Sequence, residues 1–365
     1  MEKIYDEHEL LSLFGRKYPI VIHEAKENYS YPFQDNLLKF ARLNRTTVPP
    51  FEMDKLQKHY FKMMGPTIKR PDLIGFETDV ISLTEDNKVE GFTANVCQYK
   101  HNVVTSHILD YELYLNLKKT KSNLLEKNRE ELLKFLPYRK KIHRGKTQTE
   151  VITTGCNRHS LLSVQMLVAF YDKDIQDYRV LMFKRSKDVA IKPNYWQIIP
   201  AGGFEIFETD QTVNAYLIKQ HFDVELALFR ELIEEAFDGQ DFQENQHGDG
   251  KKIINTHDDV VKLRQWLKDG DASLEFIGNV VDLVSLRPEL SFLLVIDNQE
   301  FARRKFKNNH EGKEIQSVPI NDLPKMLDGE LLYPSSAGLL KLAIKSKTFR
   351  DKGLLQEMGL ELTVQ

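Results

Sequence analysis

Residues 230–235 read Arg-Glu-Leu-Ile-Glu-Glu, and this stretch decides how the rest of the chain is interpreted. Glu231, Glu234 and Glu235 are spaced i, i+3 and i+4, which places three carboxylates on one face of a predicted helix. The neighbouring apolar residues fall on the opposite side, so the helix is expected to be amphipathic. Taken alone, such a helix is more often a solvated acidic face. A divalent cation would relieve the repulsion, because hard carboxylate oxygens suit magnesium, manganese or calcium.

The residues upstream favour the metal interpretation. Residues 196–208 read Trp-Gln-Ile-Ile-Pro-Ala-Gly-Gly-Phe-Glu-Ile-Phe-Glu. An apolar run that ends in Pro-Ala-Gly-Gly predicts a strand followed by a loop in which the backbone bends sharply or approaches another group closely. Gly202 and Gly203 also leave backbone amides free to face an anion or a neighbouring helix.

Together these two stretches carry a specific resemblance. A Gly-x5-Glu loop followed by Arg-Glu-apolar-x-Glu-Glu resembles the Nudix box, the strand-loop-helix motif of Nudix hydrolases. Gly202 to Glu208 match its first half, and Arg230 to Glu235 match its second half. With weaker support from flanking segments, the resemblance covers about residues 155–346. It implies an α+β fold for this region, a Nudix α/β/α sandwich with a mixed sheet.

The sequence departs from the family pattern in two places. Twenty-one residues separate the two halves where the family usually has seven, so residues 209–222 are interpreted as an insertion. Asp223 is then expected to be the N-cap of the acidic helix, a role that its side-chain oxygen suits. Phe237 stands where the family usually has a glycine, and Gly239 is the candidate to end the helix. Both departures change the expected loop geometry without removing a candidate metal ligand.

The resemblance implies a divalent-metal-dependent pyrophosphohydrolase. The bond cleaved would be a phosphoanhydride in a nucleoside diphosphate-linked or nucleotide substrate, with Mg²⁺ or Mn²⁺ as cofactor. By the match to the motif, the metal ligands are Glu231, Glu234, Glu235 and Glu208. Glu208 either holds metal or caps the loop, and the insertion that follows it leaves both roles open.

The general base has several candidates. Family members take it from the box helix or from a distant loop, so Glu234, Glu235 and Glu314 are the candidate catalytic residues. Glu289, in the predicted loop between two strands, is a further candidate. Glu314 and Glu289 are each more often plain surface carboxylates.

Other residues are assigned to substrate contact or to structure. Arg185, at the end of a predicted strand, either reaches a phosphate or is an exposed charge. Gly202 and Gly203 are expected to shape the substrate loop. Arg230 is expected to pair with a carboxylate and orient it, since a guanidinium binds a carboxylate through two hydrogen bonds. In the insertion, Tyr216 is the best candidate for a substrate contact.

The composition of the whole chain limits which functions and locations are expected. Its 365 residues are 41% hydrophobic and 29% charged, with a net charge of −3, so nucleic-acid binding is not expected. Cys97 and Cys156 have neither disulfide-framework nor zinc-site spacing. No apolar stretch is long enough to cross a bilayer. We therefore expect a cytoplasmic protein with a nucleotide-type small-molecule partner and no membrane contact. The sequence does not specify the oligomeric state, and a homo-oligomer is possible.

The predicted organisation has three parts. Residues 1–150 are expected to form a smaller, strand-containing α+β accessory domain, residues 151–346 the Nudix domain, and residues 347–365 a C-terminal tail. The accessory domain is predicted to end in a basic polar linker, residues 138–150. Short helices are expected at residues 7–14 and 34–43.

The pattern of apolar residues predicts further elements. Alternation and turn residues predict hairpins, a late strand and helices. The hairpins are expected at residues 78–83 with 91–99, 161–171 with 179–186, and 274–284 with 290–296; the late strand at 314–320; and helices from Tyr111, over 258–267 and over 335–344.

A second function from another class remains open. A Nudix-like domain could bind a nucleotide and act as a sensor or effector module with weak turnover. The stretched box and the displaced glycine favour that interpretation, and the three crowded glutamates favour the enzyme.

Overall fold

A computed structural model describes residues 1–33, 40–68, 70–119, 126–185, 194–206, 213–237, 250–306 and 315–353. In these residues the strands are β1 Leu11–Leu13, β2 Arg16–Tyr18, β3 Ile20–Ser30, β4 Ala41–Arg45, β5 Ile74–Leu83, β6 Val89–Gln98, β7 Ser163–Asp172, β8 Asp177–Lys184, β9 Trp196–Ile198, β10 Ala201–Gly203, β11 Ala272–Asp282, β12 Arg287–Ile296 and β13 Ile315–Pro319.

The helices of the same residues are mostly short. They are α1 Lys55–Met64, α2 Tyr99–Asn102, α3 Ile108–Lys119, α4 Arg129–Lys134, α5 Pro137–His143, α6 Gln148–Thr153, α7 Ala215–His221, α8 Val224–Ala236, α9 Gly250–Thr256, α10 Asp258–Asp269, α11 Gln299–Ala302, α12 Leu323–Met326, α13 Pro334–Lys345 and α14 Lys347–Asp351. A π-helical turn, Val103–His107, joins α2 to α3. In the described chain, no helix combines the length and apolarity that crossing a membrane requires.

One large mixed sheet organises the molecule. Its strand order is β13-β8-β7-β12-β11-β3-β6-β4, with β9 paired to β8, β10 to β7 and β5 to β6. The pairs β7–β12, β3–β6 and β4–β6 are parallel, and the pairs β11–β12, β7–β8 and β13–β8 are antiparallel. The fold is therefore α+β with a mixed sheet, as the sequence predicts.

Helices cover both faces of the sheet centre. Side chains of β7 alternate between two cores: Val164 and Met166 pack with Phe229 of α8, whereas Leu167 and Ala169 pack in the core that holds Leu340 of α13. Because both faces are covered, β7 is a nearly continuous apolar run, as expected for a central strand with a parallel neighbour. This three-layer arrangement places the acidic helix α8 directly against the sheet.

The sheet continues into the N-terminal part of the chain. Strand β3 pairs antiparallel with β11, for example Ile22 opposite Val280. A further core joins Tyr5 and Leu109 to Leu283 and neighbouring residues. Hydrogen bonds and apolar contacts thus join residues on the two sides of the predicted domain boundary at residue 150. The division into two domains stays a prediction.

The sequence-based hairpins are confirmed, with shifted ends. β5 pairs with β6, β7 with β8 and β11 with β12, all antiparallel. β13 and the helices α3, α10 and α13 are also confirmed within a few residues. The predicted tail begins with α14, whose Phe349 is buried in the core beside α13.

Near the N-terminus, the helix predicted at residues 7–14 is wrong, and the helix predicted at residues 34–43 is wrong over residues 41–43. Within residues 7–14, Leu11–Leu13 forms β1 and pairs with β2. Of the predicted helix 34–43, residues 34–39 lie outside the described residues, and Ala41–Arg45 forms β4 beside β6. β1 pairs with the adjacent strand β2, and β4 pairs with the distant strand β6. Such strand pairing overrides a short helical spacing.

The basic polar linker predicted at residues 138–150 is also wrong. This stretch contains α5 and α6, and Arg139 on α5 is fully buried. Its Nη1 donates to Tyr5 Oη (2.7 Å) and to the Leu283 carbonyl (2.9 Å). Arg139 therefore connects the N-terminal segment to the β11–β12 turn through hydrogen bonds. A guanidinium has five N–H donors and can satisfy several buried acceptors.

Burial of α5 makes the fold sensitive to acid. His143 on α5 lies 3.1 Å from Arg129 Nη2 and 3.3 Å from Tyr5 Oη. Burial, with the charges of Arg129, Arg139 and Arg158, lowers the pKa of His143 to about 3. In the unfolded chain, His143 becomes protonated near pH 6.5, whereas in the folded chain it stays neutral down to about pH 3. Stability is therefore lost as the pH falls from 6.5 toward 3.

We expect His143→Gln to flatten this pH dependence. Between pH 7 and pH 5, the free energy of unfolding, measured by urea denaturation, should fall by about 2 kcal/mol less in the variant than in the parent chain. His59→Gln changes an exposed histidine and should reproduce the parent's loss. An unchanged slope in His143→Gln would contradict the neutral, buried state of this imidazole.

Candidate functional site

The glycine loop and the acidic helix are placed by separate elements. β10 carries Gly202 and Gly203 and pairs with β7, with Gly203 opposite Ser163. α8 begins at its predicted N-cap, because Asp223 Oδ1 accepts a hydrogen bond from the Leu226 amide (3.2 Å). The helix ends at Ala236, and Gly239, the predicted end, lies outside the described residues.

The two halves of the motif contact each other despite the insertion. Gly202 leaves room for the Glu231 carboxylate, which a Cβ at position 202 would overlap. Arg230 Nη2 donates to the Gly203 carbonyl (2.7 Å), and the Ala201 amide donates to Glu235 Oε2 (2.8 Å). The loop backbone is therefore fixed to the acidic face of α8 at three successive residues.

Burial and like charges act together on Glu231. Glu231 is 6% exposed, and its carboxylate forms an ion pair with the buried Arg230. Burial raises the pKa of Glu231 well above its ordinary value, Arg230 lowers it, and the nearby Glu234, Glu235 and Glu205 raise it further. The site thus concentrates carboxylates in a region with little water, and the Arg230 guanidinium compensates Glu231.

Glu205 is a member of this cluster that the sequence did not single out. It is buried, its backbone pairs with Gly75, and its carboxylate lies 2.7 Å from the position that a Cβ of Gly203 would take. The motif spacing predicts Glu208 as the loop carboxylate instead. A usable signal was present, because residues two apart in extended chain point to the same side, which places Glu205 on the side of Gly203.

Several predicted residues lie elsewhere or outside the described chain. Glu208 and Glu314 are outside the described residues. Glu289 is in β12 and not in a loop, since the turn of that hairpin precedes Arg287. Arg185 is half-buried at the end of β8; its Nη1 donates to Gln197 Oε1 (2.5 Å), and its guanidinium lies 5.2 Å from the ring centroid of Tyr333.

The described part of the insertion is helical and docked. Asn214 caps α7, and Phe222 stacks on Phe204 with 5.5 Å between ring centroids and an angle of 11°. Phe222 also contacts Phe76, 5.0 Å away. Tyr216 is exposed. The insertion therefore returns to the core beside the glycine loop before α8 begins.

The donor set suits a hard cation by its chemistry. Glu205, Glu231, Glu234 and Glu235 are carboxylates whose mutual repulsion a divalent cation would relieve. In the arrangement described, Glu231 is bonded to Arg230 and Glu235 to the Ala201 amide. Among the residues that the structure describes, no three His, Cys, Asp or Glu side chains are grouped as a metal site.

Comparison with known proteins gives structural neighbours only. No protein-family model and no curated protein matches the sequence. Similar solved structures include the NUDIX domain of Shewanella oneidensis NrtR complexed with ADP ribose (12% identity, 51% of this chain and 87% of that chain, TM-score 0.29) and a NUDIX hydrolase from Alicyclobacillus acidocaldarius (13%, 50% and 90%, 0.30). A C. elegans Ap4A hydrolase is also similar (13%, 50% and 95%, 0.23).

The contact between loop and helix predicts the effect of one added methyl group. Gly202→Ala should lower the free energy of unfolding by about 1–3 kcal/mol, because the new Cβ displaces the buried Glu231 carboxylate. Gly65→Ala is the matched control: no atom lies within 4 Å of its Cβ position, and stability should stay within about 1 kcal/mol of the parent. Equal thermal or urea stability of the two variants would argue against the packing of Glu231 on Gly202.

Proposed function

We propose that this chain is a divalent-metal-dependent Nudix-type hydrolase. It would cleave a phosphoanhydride bond in a nucleoside diphosphate-linked or nucleotide substrate. The observation that carries the proposal is the contact between Gly202 and the buried Glu231 carboxylate, which joins the two halves of the motif across an insertion. A buried cluster of carboxylates has little structural purpose unless a cation or a proton compensates it.

The proposed ligands are the carboxylates of α8. Glu234 and Glu235, with Glu231 and Glu208, would hold Mg²⁺ or Mn²⁺, and Glu205 adds a carboxylate beside Gly203. When bound, the cation would neutralise the pyrophosphate and lower the pKa of a bound water. Glu234, Glu235 or Glu314 would act as general base toward the attacking water.

The cations and glycines have separate proposed roles. Arg230 donates to the Gly203 carbonyl and to Glu231, so it would keep the loop and the helix in register. Arg185 lies between Gln197 and Tyr333 and would contact a substrate phosphate from the end of β8. Gly202 and Gly203 would let the loop backbone approach the substrate closely.

A nucleotide-binding sensor with weak turnover is the second candidate. The ion pair between Arg230 and Glu231 favours it, because a ligand engaged by a guanidinium is less available to metal. Such a module would bind nucleotide through the same loop and helix.

The decisive experiment is a substrate panel with metal. The intact chain with Mg²⁺ should hydrolyse at least one of ADP-ribose, dinucleoside polyphosphates, NAD, nucleotide sugars or nucleoside triphosphates. Glu234→Gln and Glu235→Gln should each lower kcat/KM by about 100-fold or more, because each removes a charge that holds the cation or moves a proton. EDTA should abolish turnover of the parent.

Glu300→Gln is the matched control, since this exposed glutamate pairs with Lys262 away from α8. Its activity should equal that of the parent. Turnover that persists unchanged in both α8 variants would overturn the metal assignment. Nucleotide binding without turnover by the parent would favour the sensor.

A further inference from the structure

A cavity of about 280 Å³ lies between the N-terminal helices and the β11–β12 turn. Its lining combines aromatic, thioether and charged side chains from sequence-distant segments. These include Tyr60 and Met63 of α1, Tyr111 and Tyr114 of α3, Arg287 of β12, and Tyr333 just before α13. We call it the tyrosine cavity. Most of its lining comes from residues 1–150, whose role the sequence left open.

Three tyrosines form a stacked series along one wall. The ring centroids of Tyr60 and Tyr111 are 5.0 Å apart at an angle of 26°, and those of Tyr111 and Tyr114 are 6.4 Å apart at 22°. Tyr114 ends the series and is 53% exposed, with Lys118 Nζ 5.8 Å from its ring centroid. Nearly parallel rings with an exposed last member can accept a further planar ring by stacking.

Arg287 contributes a cation to the lining of the cavity. Arg287 Nη2 donates to Ser163 Oγ (2.7 Å), and its Nη1 is 3.2 Å from His107 Nε2. Arg287 forms no ion pair within the described ranges. His107 is held there by the π-helical turn, an irregularity that often accompanies functional sites. This guanidinium therefore offers positive charge to an anionic group in a cavity that Asp110 and Asp282 also line.

The cavity adjoins the acidic cluster. Ser163, which contacts Arg287, is the register partner of Gly203, so their Cβ positions lie on the same face of the sheet. The Glu205 carboxylate lies against that face of Gly203. Burial raises the pKa of Tyr99, and Arg287 lowers and Glu205 raises the same pKa, which places both charges near one hydroxyl.

We propose that the tyrosine cavity binds the base of a nucleoside phosphate. The ring stacks on Tyr114, and Arg287 contacts the phosphate nearest the sugar, which directs the phosphoanhydride toward Glu205 and α8. The inference rests on the proposed function, and it assigns to residues 1–150 the recognition of the nucleoside.

The test uses AMP, which has a base and a phosphate but no phosphoanhydride to cleave. In the presence of Mg²⁺, calorimetry should show AMP binding to the intact chain and about 10-fold weaker binding to Tyr114→Ala. Tyr114→Phe keeps the ring and should retain the parent affinity. Leu117→Ala changes a residue that is 57% exposed on the same helix and outside the cavity lining, and should also bind as the parent does.

The outcomes separate this inference from the proposed hydrolysis. No AMP binding by the parent, or equal binding by Tyr114→Ala, overturns the inference even if the chain hydrolyses a substrate. Selective loss of AMP binding in Tyr114→Ala, without turnover of any panel substrate, supports the inference and overturns the hydrolase. If turnover is present, Tyr114→Ala should raise KM about 10-fold with little change in kcat, because stacking is equal in ground and transition states.

Discussion

The burial of the Glu231 carboxylate against Gly202 is the constraint on which the site depends. A carboxylate with so little water is costly unless another group compensates it, and Arg230 does so from the adjacent position. The same guanidinium donates to the Gly203 carbonyl. Arg230 therefore both neutralises the Glu231 carboxylate and holds the glycine loop against α8. Every other group of the cluster is positioned relative to this contact, through α8 or through β10.

The sheet explains how the contact survives a long insertion. β10 pairs with β7, and α8 packs on apolar side chains of β7, so one strand positions both halves of the motif. The intervening chain returns to the core at Phe222, which stacks on Phe204 of the loop. Lengthening the connection therefore costs only slowly growing closure entropy and leaves the fixed ends in place.

Local patterns predicted the parts of the fold that form locally. Hairpins such as β11–β12 and the N-cap at Asp223 follow from alternation and side-chain chemistry within a few residues. The pairing of β3 with β11 joins residues about 250 positions apart, and no local signal specifies it. The burial of Arg139 has no local signal either, because its acceptors come from distant segments. In the site, the motif indicated Glu231 but not Glu205, whose proximity depends on the β10 register.

The pairing of β3 with β11 determines which fragments of the chain would be stable without the N-terminal segment. Without β3, β11 would become an edge strand whose backbone amides and carbonyls on one side have no partner. An exposed edge of that length is a template for pairing with other molecules. A fragment beginning near residue 151 would therefore carry a self-associating surface, and the N-terminal segment acts as the permanent cover of that edge.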